Sequence, residues 1–192
     1  IAVYNSIYSQ LAKETTKFQY SVVDKKARSK SYEMALEWLK AANVVLPSVK
    51  ITEGKLPINL YEEQSTFKIY YSDVGLFTMK SNMPSEKVIQ NIDLSDKARG
   101  TLAECYVASE LVSKGFPLHY WESSNSAEVD FILQNNEGVI PIEVKSSENV
   151  RSKSLKTYTD KYNPPYAIRT SSRNFGFENG IKSIPLYAIF CL

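Results

Sequence analysis

Residues 128–145 read EVDFILQNNEGVIPIEVK, two apolar runs of strand composition on either side of an Asn-, Glu- and Gly-containing turn. The pattern predicts an antiparallel hairpin with its turn centred between Asn136 and Glu137. Counting outward from that turn sets Asp130 opposite Glu143 and Glu128 opposite Lys145. Because side chains alternate along a strand, these four share one face, while Val129, Phe131, Ile142 and Val144 share the other. Carboxylates opposed on adjacent strands repel unless a cation lies between them or one is protonated. Mg2+ or Mn2+ resolves the conflict, with Asp130 and Glu143 as hard oxygen ligands and the Pro141 or Val144 carbonyl as a further one. Lys145 would then orient or activate a water, or neutralise charge building on a phosphate. The alternative is a solvated hairpin face on which Glu128 and Lys145 form a weak surface pair.

Working outward, Ser95 to Lys114 reads as a helix with Ala98, Thr101, Cys105, Ala108 and Val112 along one stripe, ended by Gly115. Glu104 on this helix could complete the hairpin site, with Gly100 letting helix and sheet approach closely. The strand PLHYW (117–121) precedes the hairpin. A helix from about Ser152 to Tyr162 follows it, opens with Arg151, Lys153 and Lys156, and is stopped by Pro164 and Pro165. YAIRT (166–170) and PLYAIF (185–190) read as the last strands. Cys105 is expected in the core, and His119 is expected to be an ordinary polar strand residue.

The N-terminal half has another rhythm. Val3, Tyr4, Ile7, Tyr8 and Leu11 recur at helical spacing, as do Tyr32, Leu36, Leu39 and Ala42, with Asn43 placed to end the second helix in a left-handed conformation. VVLPSVKI (44–51) and FKIYYSDVGLF (67–77) then read as two strands followed by a helical turn. Helices followed by a two-stranded wing predict a winged helix over residues 1–80. A polar linker over 81–96 containing Pro84 and a second domain over 97–192 complete the division. Residues 1–90 hold twelve basic and nine acidic side chains, and residues 91–192 eleven and twelve. The basic excess gathers at Lys25, Lys26, Arg28 and Lys30, a segment that contacts nucleic-acid phosphates or is simply solvated.

Composition narrows the function classes. The chain has 192 residues, 43% hydrophobic and 23% charged, and a net charge of +2, which excludes disorder and argues against broad non-specific binding to DNA. Two distant cysteines and one histidine exclude a disulfide scaffold and a multi-histidine or cysteine zinc centre, so a reducing, cytoplasmic setting is expected. No apolar run is long enough to cross a bilayer, and neither a GxxxxGK[ST] phosphate loop nor a GxGxxG cradle occurs. The chain by itself is therefore not expected to bind ATP, NAD or a membrane. It opens on Ile1 already in helical pattern, so it reads as starting inside a longer protein.

GTLAECYVASELVSKGF (100–116), YWESSNSAEVDFIL (120–133) and IPIEVKSS (140–147) together resemble domain of unknown function 4143, found at the C-terminus of prokaryotic AAA-type ATPases and part of the PD-(D/E)xK nuclease-like superfamily. SQLAKE (9–14), SYEMALEWLKAANVV (31–45) and IYYSDVGLF (69–77) resemble the winged-helix segment preceding that domain. The resemblance implies an α/β (α+β) fold, a winged helix followed by a nuclease-like domain with a central mixed sheet flanked by helices. It implies active-site positions at Glu104, Asp130, Glu143 and Lys145, with Asp130, Glu143 and Glu104 holding Mg2+ or Mn2+. It further implies an ATPase domain of the same protein before Ile1. The basic side chains Lys25, Lys26, Arg28, Lys30, Arg151, Lys153 and Lys156 are the expected contacts to DNA. Three functions follow as expectations: a metal-dependent nuclease, a non-cutting DNA-binding module, or a protein-interaction and regulatory half of the ATPase.

Overall fold

Asn135 fixes the central turn: its Oδ1 accepts from the amides of Glu137 at 2.9 Å and Gly138 at 3.1 Å, and Gly138 takes the positive φ that the reversal requires. The computed structural model describes residues 1–11, 17–23, 29–90, 92–124, 127–146 and 153–192, with the side chains of 29–31 outside that description. From the turn run β4 (Glu128–Asn135) and β5 (Gly138–Val144), paired from Asn135 with Gly138 out to Phe131 with Ile142. These pairs keep the register counted from the sequence, but the ladder ends before the expected Asp130–Glu143 and Glu128–Lys145 pairs, and Glu128 pairs instead with Lys68. The other strands are β1 (Val45–Ile51), β2 (Glu62–Tyr71), β3 (Leu118–Glu122), β6 (Ala167–Ser171), β7 (Gly176–Glu178) and β8 (Ile181–Pro185). All eight form one mixed sheet in the order β2-β1-β3-β4-β5-β6-β8-β7. The β1–β3, β5–β6 and β6–β8 pairs are parallel and the rest antiparallel.

Helices cover both faces. On one lie α1 (Ala2–Leu11), α3 (Ser29–Ala41), α4 (Val74–Lys80) and α6 (Asp96–Ser113). Their Ile7, Leu36, Phe77, Cys105 and Leu111 share a core with Phe131, Leu133, Ile142 and Val144. On the other, Leu155 and Tyr158 of α7 (Lys153–Tyr162) pack on Ile51, Trp121, Ile132 and Ala167. Two short helices, α2 (Tyr20–Val23) and α5 (Ser85–Gln90), complete the set. The Ser95 hydroxyl caps α6 by accepting from the Ala98 amide at 3.2 Å, Gly115 follows it at φ 82°, and Asn43 follows α3 at φ 52°.

Several expectations are corrected. The two strands expected as a wing are β1 and β2 of the common sheet, since Ser48–Ile51 of β1 pairs in parallel with Leu118–Trp121 of β3. The reason is burial: Val45, Leu46 and Ile51 are buried, and a two-stranded wing could not cover them. Residues 81–96, expected as a linker, carry α5. The segment PLYAIF is not a strand. Pro185 ends β8, and Leu186–Cys191 forms a 3-10 helix whose Ala188 and Ile189 are buried, Ile189 in the same core as α6. Among the described residues no helix is long and apolar enough to cross a membrane.

A sheet spanning both halves should unfold as one unit. Ile51→Ala removes a side chain that is 0% exposed and should lower stability by about 2–5 kcal/mol. Its urea transition should remain single and coincide by far-UV circular dichroism and tryptophan fluorescence. Two separate transitions would restore the two-domain division.

Candidate functional site

The site begins at an irregularity in β4. Across β3, His119 pairs with Ile132 but Trp121 pairs with Val129, so Asp130 and Phe131 together oppose the one residue Tyr120. Such a bulge breaks side-chain alternation. Val129 therefore joins the core under α7 while Phe131 joins the core under α6, and the two do not share a face as expected. The β4–β5 ladder stops at Phe131 with Ile142, and the Asp130 carboxylate accepts from the Val144 amide at 2.7 Å in place of a backbone partner. On its other edge β5 pairs with β6, Glu143 beside Arg169, and the Lys145 amide donates to the Thr170 carbonyl at 2.8 Å.

Around Asp130 the fold gathers the four positions inferred from sequence. Glu143 is 4% exposed; its Oε1 lies 2.5 Å from Lys145 Nζ, and its buried Oε2 has no hydrogen-bond partner among the described residues. Glu104 projects from α6 and accepts from the Tyr70 hydroxyl at 3.1 Å. Gly100 does not play the expected part in this approach, because nothing lies within 4 Å of where its Cβ would stand. Burial, then the nearby Glu143 and Glu104, push the Asp130 carboxyl well above the usual range, and burial likewise raises Glu104. For Lys145, burial works against the ammonium, but the attraction of Glu143, Asp130 and Glu104 outweighs it, and its pKa lies above the ordinary lysine value.

Sequence reasoning missed three members: Lys68, Tyr70, whose hydroxyl holds Glu104, and Arg169. Lys68 of β2 is 1% exposed, pairs with a Glu128 carboxylate oxygen, and lies 4.6 Å from the centre of the Tyr120 ring. Burial opposes its charge, yet Glu128, Glu104 and Asp130 together raise its pKa. The signal was a lysine inside the apolar run FKIYY, two residues from Tyr70 and so on its side of the strand. Arg169 is the third. It stands beside Glu143 on β6, its buried Nε without a hydrogen-bond partner among the described residues.

The nucleic-acid positions fare differently. Lys25, Lys26, Arg28 and Arg151 lie outside the described residues, as does the Lys30 side chain. Lys153 and Lys156 are exposed on α7, Lys156 paired with Asp160 at 2.7 Å. His119 is buried and its Nε2 lies 2.7 Å from Glu62 Oε1, so it is tied to another strand rather than merely filling one.

As a donor set for a hard cation, Asp130 and the unpartnered Glu143 oxygen are the right chemistry. Among the described residues, however, no three His, Cys, Asp or Glu side chains are grouped so that they could hold a metal ion. The expected third ligand, Glu104, is thus not part of one compact set. A two-carboxylate site completed by water suits Mg2+, which keeps several waters.

The raised carboxyls fix the sign of a pH effect. Folded Asp130 holds its proton to higher pH than the unfolded chain, so its contribution is full below the usual aspartate pKa of about 3.9. It is lost as pH rises through the folded value, and Glu104 acts in the same direction. In chelator, urea midpoints should fall between mildly acidic and neutral pH. Asp130→Asn, which keeps an oxygen for the Val144 amide, should flatten that fall and gain on the order of 1 kcal/mol at neutral pH. A steeper fall in the variant would contradict the assignment.

No curated protein and no solved structure shows a significant match to the chain. Residues 2–87 match the family model described as Domain of unknown function (DUF8612). The two matched segments thus meet near α5, although the sheet runs through both. Residues 99–189 match the model described as Domain of unknown function (DUF4143), a known C-terminal domain of AAA ATPase-type proteins.

Proposed function

We propose that this chain is the nucleic-acid-associated part of a prokaryotic AAA-type ATPase and that it carries a metal-dependent phosphodiester-cleaving site of the PD-(D/E)xK type. The observation that carries the reading is Glu143: a carboxylate 4% exposed, one oxygen on Lys145 and the other without a hydrogen-bond partner among the described residues, beside an Asp130 whose charge burial disfavours. A desolvated pair of this kind gains most from a divalent cation. Asp130 and Glu143 would hold Mg2+ or Mn2+, with Glu104 supporting from α6. When bound, the ion would lower the pKa of a water and polarise the phosphate.

The chain's own residues supply the rest. Hydrolysis adds the water oxygen to phosphorus and breaks the bond to the leaving oxygen, which takes up a proton. Lys145, charged at neutral pH, is not a base for that water; it counters the negative charge that grows on the phosphate oxygens. The alternative, a non-cutting DNA-binding or protein-interaction module of the ATPase, is favoured by one observation: no three metal-ligating side chains are grouped among the described residues.

Cleavage assays on linear, single-stranded and four-way-junction DNA, with and without the ATPase portion, separate the two. Activity is expected with Mg2+ or Mn2+ and not with Ca2+. Lys145→Ala should lower turnover roughly 10²-fold or more with metal binding retained, whereas Asp130→Asn should weaken metal binding itself. Cleavage persisting in a Glu143→Ala, Lys145→Ala double variant would refute this site. Metal-free, inactive protein that still binds DNA would establish the alternative.

A further inference from the structure

Arg169 occupies a place on β6 that the packing of the core does not explain. Its register partners are Glu143 of β5 and Ser183 of β8, both in parallel pairs. One residue earlier, Ile142 and Ile168 are paired in the core under α6, whereas Ala167 belongs to the core under α7. Side chains alternate along a strand, so Glu143 and Arg169 stand together on the α7 face. Lys145 follows Glu143 by two residues, and its amide still bonds the Thr170 carbonyl of β6. Glu143, Lys145 and Arg169 thus gather at the carboxyl ends of parallel strands, where open sheets present their ligands.

The cations of this end are unequally committed. Lys145 lies 2.5 Å from Glu143 Oε1, and Lys68 is paired with Glu128. The half-buried Arg169 side chain makes no hydrogen bond or ion pair with any described residue, and its Nε is buried. Its register neighbour Glu143 is not bonded to it, and Ser183 on the other side carries no charge. A guanidinium N–H taken out of water with no acceptor is costly, and arginine cannot relieve that cost by losing its proton. An acceptor from outside the chain relieves it. The non-bridging oxygens of a phosphodiester match the planar fork of arginine.

We infer that Arg169 is a phosphate-contacting residue, donating to the non-bridging oxygens of a nucleic-acid backbone that passes over the ends of β5 and β6 beside Lys145. The inference rests on the nucleic-acid reading above and adds to it the residue that holds the backbone. It does not depend on a bound metal ion.

The test is the anisotropy of a labelled DNA duplex titrated with the chain in chelator, over a series of salt concentrations, with folding checked by circular dichroism. Wild-type affinity should fall as salt rises. Arg169→Gln should bind more weakly at low salt and reduce the log–log slope by about 0.9, the share of one phosphate contact, while Arg169→Lys should keep the slope. Lys114→Gln makes the same charge change at an exposed position just before β3, toward the hairpin-turn end of the sheet, and should leave the slope unchanged. The urea midpoint of Arg169→Gln should equal or exceed that of wild type, because no bond within the chain is lost. An Arg169→Gln slope like that of wild type, an equal reduction in Lys114→Gln, or a lowered midpoint would overturn the role of Arg169 alone. Folded wild-type protein that binds no duplex even at low salt would overturn the nucleic-acid reading beneath it as well.

Discussion

One hydrogen bond shapes the chemical end of this sheet: the Asp130 carboxylate accepting from the Val144 amide. In an uninterrupted hairpin that amide would be matched by a β4 carbonyl. The bulge at Asp130 and Phe131 removes the carbonyl, and a buried amide without a partner would be costly. The carboxylate replaces it. The β4–β5 ladder ends there, while β5 stays paired with β6 through Val144. A side chain doing a backbone's work also explains why Asp130 is tolerated there: its charge is disfavoured, but its oxygen is required.

The same end of the sheet illustrates how ionic groups persist in a packed interior. Taking a carboxylate out of water costs several kcal/mol unless partners replace the lost hydration. Here partners arrive from different elements: Lys68 and Tyr70 from β2, Tyr120 from β3, Lys145 from the residue after β5, with Glu104 reaching down from α6. Each is fixed by apolar neighbours on its own strand or helix, as Phe131 and Ile142 fix the hairpin. The arrangement is incomplete, since among the described residues Glu143 Oε2 and Arg169 Nε have no hydrogen-bond partners.

What the sequence disclosed follows from locality. The hairpin register as far as Phe131 with Ile142, the helix starting near Ser95, and the helix-ending Asn43 and Gly115 are set by residues a few positions apart, and all could be counted in the chain. The bulge could not, because nothing in EVDFIL distinguishes regular alternation from a slipped pair; β3 imposes it. The membership of β1 and β2 in the common sheet was hidden for the same reason, being decided by the parallel pairing of β1 with a strand almost seventy residues later. Two local signals were there to be used. Asn179 and Gly180, both at positive φ, mark the β7–β8 turn, and a lysine in the run FKIYY marked a buried charge.

The position of Lys68 bears on how the chain's two matched segments relate. A boundary between residues 87 and 99 separates them as sequence families, yet the counter-charge for Glu104, Glu128 and Asp130 lies on the first segment and the acids on the second. Separating the two would strip β3 of its parallel neighbour β1, leaving an unpaired edge. It would at once leave three carboxylates around a space from which their ammonium had gone. Sheet pairing and charge balance therefore impose the same requirement, that the N-terminal half be part of the site rather than a module appended to it. Whatever holds α1 and α3 also holds the strands β2 and β1 against which they pack, and through β2 it holds the charge of the acid pocket.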